Sequence, residues 1–342
     1  MRQHVEDSRL AYNHLLETKK RLWETEQHNL TKVEAQPVVD SYRRAAGLSA
    51  PAVVIRFAKD RLFFSYNHFF KTSGKFPRFK AEGRYRSFGC YAGQYKLTED
   101  GRVLLPKVGY VRINLHRPWE GTPKQITVKI SPTGKWFISI ACEGDFSKSL
   151  PRTDRIAGCD LGLKTFATLS DGFEVPRERF FKVEQENLAK AQTQKERLQD
   201  NPAQLCKKTK AIARIHERIA NRRTDFCHRA TNLILSRYNT IYLEDLNVAR
   251  MLGNGSRQLS RSIADAAWFQ FVTMLSCKAA RAGRTVVLVD PRNTSKECSA
   301  CGHLKYEMPL AERTYSCEHC GSVLDRDVNA SRNIYRRGTA RL

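Results

Sequence analysis

Apolar residues recur at helical spacing almost from the start of the chain. Ala11, Leu15, Thr18 and Leu22, with charges between them, predict a helix over 5–30, and a second helical stretch falls around 36–48. From Val53 to Phe88 that periodicity gives way to a mixture. Nine Lys and Arg residues (Arg56, Lys59, Arg61, Lys71, Lys75, Arg78, Lys80, Arg84 and Arg86) interleave with ten aromatics from Phe57 to Phe88. Residues 84–146 then alternate with the period of strands. "YKL", "VLLP", "YVRINL", "QITVKI" and "WFISIAC" are punctuated by the turn signals "TEDGR" and "SPTGK", which predicts a small β-barrel. "EGDFSKSLPRTD" is expected to link it to a second region.

That second region begins with three predicted strands, Ile156–Asp160, Thr165–Leu169 and Gly172–Val175, the last two joined by a Ser-Asp-Gly turn. Two long helices follow, broken near Asn201-Pro202. The second, over about 204–237, carries an apolar stripe of Ile212, Ile215, Ile219, Phe226, Ala230 and Leu233. "NTIYLEDL" reads as a buried strand ending in acids. "SIADAAWFQFVTMLSCKAARAG" reads as one amphipathic helix with Ala264, Trp268, Phe271, Leu275 and Ala279 on one side and Gly283 as its C-cap. "RTVVLVD" is a further strand, and a closing helix starts at Asp327.

Charge narrows the partners. The 342 residues hold 59 Lys and Arg against 35 Asp and Glu, a net +24, which favours a polyanion through counterion release. Nucleic acid is the leading partner and an anionic membrane the rival. No apolar run is long enough to span a bilayer and no signal peptide opens the chain. In the Val53–Phe88 mixture, cations can hold a backbone while rings stack on bases. The basic residues, Arg78 and Lys80 among them, are assigned to nucleic acid, whereas Phe63, Phe64, Phe69 and Phe70 are assigned to the core. Lys210, Arg214, Arg218 and Arg222 form an i,i+4 ridge whose self-repulsion favours an anionic partner, a solvated face being the alternative.

Six of the ten cysteines are scattered singly, and four form two CxxC pairs, Cys298/Cys301 and Cys317/Cys320. Gly302 and Gly321 follow the second cysteine of each pair. Four thiolates so spaced suit a closed structural Zn²⁺ site in a reducing compartment, with His303 and His319 left out of the coordination. Three carboxylates also stand out: Asp160 and Glu244 at strand ends and Asp327 at a helix start. The element order around them is that of a ribonuclease H-like α/β domain, in which such acids hold two divalent metals. Mg²⁺ suits their hard oxygens.

"CDLGLKTFATLSDG", "IYLEDLNV", "SIADAAWFQF", "DPRNTSKECSACG" and "CEHCGSVLDRDVNASRNI" resemble the TnpB (OrfB) family of insertion-sequence proteins, relatives of compact type V CRISPR effectors. The likeness covers about 150–335 and extends more weakly to about 75. It implies an RNA-guided, Mg²⁺-dependent DNA endonuclease whose RuvC-like triad is Asp160, Glu244 and Asp327 rather than Asp325. It also implies a zinc module that contacts target nucleic acid, with guide RNA and target DNA as partners. An RNA-guided DNA-binding repressor and a DNA-joining transposase are the alternatives. The implied layout is a helical recognition segment over 1–83, an incomplete β-barrel over 84–148, a RuvC-like domain over 149–290 with a helical insertion at 180–238, a zinc ribbon over 291–324, and a final helix over 325–342. A cytoplasmic, nucleoid-associated monomer is expected. Members usually begin with a basic-aromatic strand that completes the barrel. This chain opens at the first helix, so a barrel short of that strand, and poor guided cleavage, are expected.

Overall fold

Three helices and two small sheets enclose one core in the N-terminal part of the chain. The computed structural model describes residues 1–72, 74–198, 201–254, 256–309 and 312–340, and the chain divides into two units, Met1–Phe146 and Ser147–Leu342. In the first unit the helices are α1 (Arg2–Glu26), α2 (Ala35–Ala45) and α3 (Ala52–Lys71). The strands are β1 (Ser87–Tyr91), β2 (Lys96–Leu97), β3 (Arg102–Leu105), β4 (Gly109–Arg112), β5 (Thr122–Ile130) and β6 (Trp136–Glu143). They pair as two antiparallel three-stranded sheets, β1-β5-β6 and β2-β3-β4. No ladder joins the sheets among the described residues, so the expected single barrel is replaced by two sheets. Leu15 and Leu16 from α1, Ile55 and Leu62 from α3, Phe88 and Ile126 from one sheet, and Val103 and Leu105 from the other meet in the shared core.

The basic-aromatic segment departs from expectation. Most of it is α3, whose apolar residues run around the helix instead of along one stripe. Phe63 packs against the core, but Phe64 and Phe70 are 73% and 72% exposed. Their assignment to the core is therefore corrected: α3 has more rings than its buried face can take.

The second unit is built on a five-stranded mixed sheet. Its strands are β7 (Ile156–Leu161), β8 (Thr165–Leu169), β9 (Glu174–Pro176), β10 (Thr240–Glu244) and β11 (Thr285–Val289), in the order β11-β10-β7-β8-β9. β10 runs parallel to both β7 and β11, while β8 and β9 are antiparallel hairpin additions. The helices are α4 (Phe180–Glu196), α5 (Pro202–Arg237), α6 (Val248–Asn254), α7 (Arg257–Ala266), α8 (Trp268–Ala282) and α9 (Arg326–Thr339). Asn201 caps α5 through its side chain, with Pro202 at the first helical position, as the sequence break implies. On α5, Ile234 is buried and Leu233 is exposed, a one-residue correction to the stripe.

The helix expected over 262–283 is two helices. Ala267 takes a left-handed φ of 55° between α7 and α8, so Ile263 and Ala266 are buried where Ala264 was expected. Buried Asp265 stands at this break. It accepts from the Phe181 backbone N–H at 3.1 Å and pairs with Arg223 at 2.9 Å, tying α7 to α4 and α5.

α9 lies flush on the sheet because two glycines remove the side chains that would hold it off. A Cβ on Gly158 of β7 would sit 2.1 Å from the Ser331 carbonyl oxygen, and one on Gly338 would sit 2.1 Å from the Tyr242 ring of β10. Any larger residue at either position would force helix and sheet apart. Between β11 and α9 lies the cysteine-bearing segment, with the short hairpin β12 (Thr314–Ser316) and β13 (Val323–Asp325). Among the described residues no helix is long and apolar enough to cross a membrane.

Candidate active site and metal centre

Asp160 belongs to β7 and Glu244 ends the adjacent parallel β10, whose Leu243 is in register with Cys159. Both acids therefore reach the same edge of the sheet. Asp327 arrives from the first turn of α9, and its Oδ2 lies 3.9 Å from where a Cβ on Gly162, just past β7, would stand. The helix start is set by Asp325, whose Oδ1 accepts from the backbone N–H of Asp327 at 2.8 Å and of Val328 at 3.3 Å. Of the two acids in "DRD", Asp325 is thus the N-cap and Asp327 faces the other carboxylates.

All three acids are raised above their ordinary pKa, and Asp160 also by the other two. Burial pushes the Asp160 carboxyl well above its ordinary range, and the charges of Glu244 and then Asp327 raise it further. Burial also raises Glu244, partly offset by a hydrogen bond from the Thr294 hydroxyl and by the charge of Arg337. Asp327 is raised by burial and by Asp325, against the opposing charges of Arg313, Arg326 and Lys164. Arg313 comes no closer to Asp327 than 3.8 Å. Burial, and at Asp160 the neighbouring carboxylates, therefore make the charged forms costly here unless a cation is bound. A set of hard oxygens in that state fits a divalent cation such as Mg²⁺.

The four cysteines form a tighter cluster. Their sulfurs all lie within 4.8 Å of one another, which among the described residues no other group of three or more potential ligands matches. Cys298 and Cys320 are 3.7 Å apart, and Cys301 and Cys317 are 3.6 Å apart. A tetrahedral zinc with sulfurs at about 2.3 Å sets neighbouring sulfurs about 3.8 Å apart, so the cage fits the ion. Each pair is folded as a knuckle. Gly302 N–H donates to the Cys298 carbonyl at 2.9 Å and Gly321 N–H to that of Cys317 at 3.0 Å. Both glycines have positive φ, 78° and 74°, conformations that side-chain-bearing residues avoid. Backbone N–H groups of Cys320 and His319 hold the Cys317 thiol down to about 6, poised as a thiolate ligand. His303 and His319 stack on each other, ring centres 5.4 Å apart.

The basic ridge is only partly outward-facing in its chemistry. Arg218 donates to both oxygens of Glu184 on α4, at 3.1 and 2.9 Å, and Arg222 approaches the same carboxylate at 3.7 Å. Arg218 is the main cause that holds Glu184 down to about 2. The mutual repulsion along the ridge is thus relieved within the protein at two of its four positions, whereas Lys210 and Arg214 stand exposed on α5. In the first unit, Lys80 is pinned by its backbone to Asn13 and Arg9 of α1, its ammonium over the Tyr12 ring, while Arg78 is exposed. Exposed rings gather beside them. Phe69 packs edge-on against Phe70 and Phe76, and Lys20 lies 5.5 and 5.2 Å from the centres of Phe76 and Phe79.

Sequence spacing missed Thr294, the hydroxyl donor to Glu244, and the asparagines Asn329 and Asn333, fully buried on α9. The one available signal was two Asn residues four apart in a helix start, a pattern that places both on one face.

A sheet of ribonuclease H topology, three converging acids and an inserted four-cysteine ribbon define a nuclease-type domain. The comparisons agree with that class. Residues 129–255 match the family described as "Probable transposase" of the OrfB type, and residues 268–334 match the "Cas12f1-like, TNB domain". A Streptomyces pristinaespiralis protein named "Putative RNA-guided DNA endonuclease" is 32% identical over 97% of this chain and 84% of its own length. An Escherichia coli K12 relative, named as an RNA-guided DNA endonuclease of the same provisional kind, is 32% identical over 81% of this chain and 72% of its own. A Cas12f1 complex with guide RNA and target DNA, solved by cryo-electron microscopy, shares the fold with a TM-score of 0.59 at 16% identity, over 98% of this chain and 81% of that one. The chain belongs to the TnpB (OrfB) family of RNA-guided DNA endonucleases.

Proposed function

We propose that this protein is an RNA-guided DNA endonuclease that hydrolyses phosphodiester bonds at Asp160, Glu244 and Asp327. The observation that carries this reading is the convergence of the three acids at one sheet edge, each raised above its ordinary pKa, in a chain of this family. Divalent cations, Mg²⁺ by the hardness of the donors, would supply charge neutralisation at the scissile phosphate and a more acidic attacking water. The protein's own part is to hold the three carboxylates on rigid elements: two adjacent parallel strands and a helix seated on them through Gly158 and Gly338. Arg313 and Lys164 bring positive charge near Asp327, which can attract a phosphate backbone. The ribbon, with zinc in its thiolate cage, supplies a fixed nucleic-acid contact next to Asp327.

A repressor that binds without cutting is the second reading; retention of all three acids speaks against it. The test uses the chain purified with its co-purifying RNA, which is sequenced to design a guide-matched duplex. In Mg²⁺, cutting of that duplex by the wild type, however slow, supports the reading. Asp160→Ala should reduce cutting by at least about a thousandfold, since it removes the acid between the other two, and should retain the RNA. Binding without cutting by the wild type would favour the repressor, and strand joining would favour the transposase.

The guide RNA is proposed to lie in part on the exposed rings of the first unit. From Arg61 to Ala81 the chain carries five Lys and Arg residues and no acid. Unpaired RNA bases stack on such rings at about 1–3 kcal/mol per base. Phe70→Ala with Phe79→Ala should weaken RNA affinity by roughly tenfold or more without lowering thermal stability, because both rings are exposed. Unchanged affinity would remove these rings from the RNA path.

A further inference from the structure

The loop over 290–297 leaves β11, passes Glu244 and enters the ribbon at Cys298. Thr294 in this loop is 2% exposed. Its Oγ1 donates to Glu244 Oε1, and the Pro291 carbonyl lies 3.2 Å away. The loop is held by donors from α9. Asn333 Nδ2 donates to the carbonyls of Thr294 and Glu297, at 2.9 and 2.6 Å, and Asn329 Nδ2 donates to the Glu297 carbonyl at 2.7 Å. Asn329 Oδ1 accepts from Ser299 N–H at 2.8 Å, inside the first CxxC. Arg337 reaches the carbonyls of Asp290 and Arg292 and the Glu297 carboxylate, which Arg336 also contacts.

One short loop therefore touches an acid on β10, the helix that carries Asp327, and the root of the cysteine cage. We propose that Thr294 is a positioning residue for the nuclease centre. It fixes the rotamer of Glu244 so that Oε2 faces Asp160 and Asp327, and Asn333 holds Thr294 at the height where it can do so. The physical need is plain. Glu244 and Asp160 repel each other, and an untethered glutamate would swing away from the cluster. A neutral hydroxyl donor restrains it without cancelling the charge a cation requires, which a lysine or arginine at position 294 would do. Partners of this kind behind metal-binding carboxylates typically change metal affinity by about 10–100-fold when removed.

This inference rests on the proposed nuclease reading, and its test separates the two. Mn²⁺ binding is measured by electron paramagnetic resonance on the zinc-loaded, RNA-bound chain, and Mg²⁺ titrations of cutting run in parallel. Thr294→Val should weaken Mn²⁺ binding, and raise the Mg²⁺ needed for half-maximal cutting, by about tenfold or more. Thr294→Ser should restore both to within about threefold, and zinc content should stay at wild-type level in each. Should the valine variant fold poorly, Asn333→Ala probes the same tether from the helix side and should weaken Mn²⁺ binding in the same direction. Wild-type Mn²⁺ affinity in folded Thr294→Val, or a serine variant as impaired as valine, overturns the role of the hydroxyl. A wild type that binds no Mn²⁺ overturns the nuclease reading and this inference together.

Discussion

The ribbon and the acid centre both crowd like-charged ligands, but they do so in opposite ways. In the ribbon, four sulfurs sit at tetrahedral spacing; the backbone lowers the Cys317 thiol, while burial and the other three thiols push Cys301 up to about 12. Four thiolates would complete a tetrahedral zinc, so the cluster suits a closed structural site. In the acid centre the carboxylates come from three separate elements and, above all by burial, are pushed toward their protonated forms. On the proposed reading, that centre would have to stay open to its substrate. The domain would then hold one metal for shape and another for chemistry.

The sharpest way to break the comparison is to remove a ligand from the closed site. Wild-type protein should carry about one zinc, and Cys317→Ser should lose it. Hydrogen exchange should then report unfolding confined to 298–321, since metal binding and folding are coupled in such knuckles. DNA binding should fall as well. Elemental analysis that finds no zinc in the wild type would erase the distinction between the two sites.

The open site should show its cost in the pH dependence of stability. Asp160 has a folded-state pKa above its ordinary 3.8, so between those two values the native state binds more protons than the unfolded one. Stability of the metal-free protein should therefore fall as pH rises through that window. Asp160→Asn should flatten this slope and raise the neutral-pH midpoint by a few degrees, on the order of 4 °C per kcal/mol. Added Mg²⁺ should recover stability in the wild type and less in the variant. A slope identical in both proteins would mean that Asp160 is not strained by its neighbours.

The basic ridge offers a third, smaller case, in which like charges are satisfied internally. Neutralising Lys210 and Arg214 should lower the log–log salt slope of nucleic-acid binding by about one unit for each phosphate that is no longer neutralised. Neutralising Arg218 should instead cost thermal stability, because buried Glu184 would lose its bidentate partner. If all four positions behave alike, the division of the ridge is wrong.

Much of the second unit was legible in the sequence because its signals are local. Each strand is a short apolar run, Asn201-Pro202 caps a helix, and two CxxC pairs with following glycines specify knuckles. The strand-end and helix-start acids could be picked out because their elements were. What escaped notice depends on residues distant in sequence. The counter-ion of Arg218 is Glu184 on another helix. The break at Ala267 has no Gly or Pro to announce it, and is seen only once Asp265 is placed against α4 and α5. Thr294 is one hydroxyl in a loop, with no periodicity to mark it. In the first unit the residue pattern did not delimit α3 within the expected helical segment, because its apolar residues do not keep to one face, and strand signals alone could not tell one barrel from two sheets.

The flush seating of α9 on Gly158 and Gly338 also orders events in time. This helix follows every strand of the sheet it completes, so it leaves the ribosome after them. The emerging sheet can pair Asp160 with Glu244, but Asp327 joins only when α9 docks, a contact that must close a long stretch of intervening chain. A partly synthesised chain therefore brings together two of the three acids and not the third. On the proposed reading, competence to cut would arrive with a helix–sheet contact whose fit depends on two missing side chains.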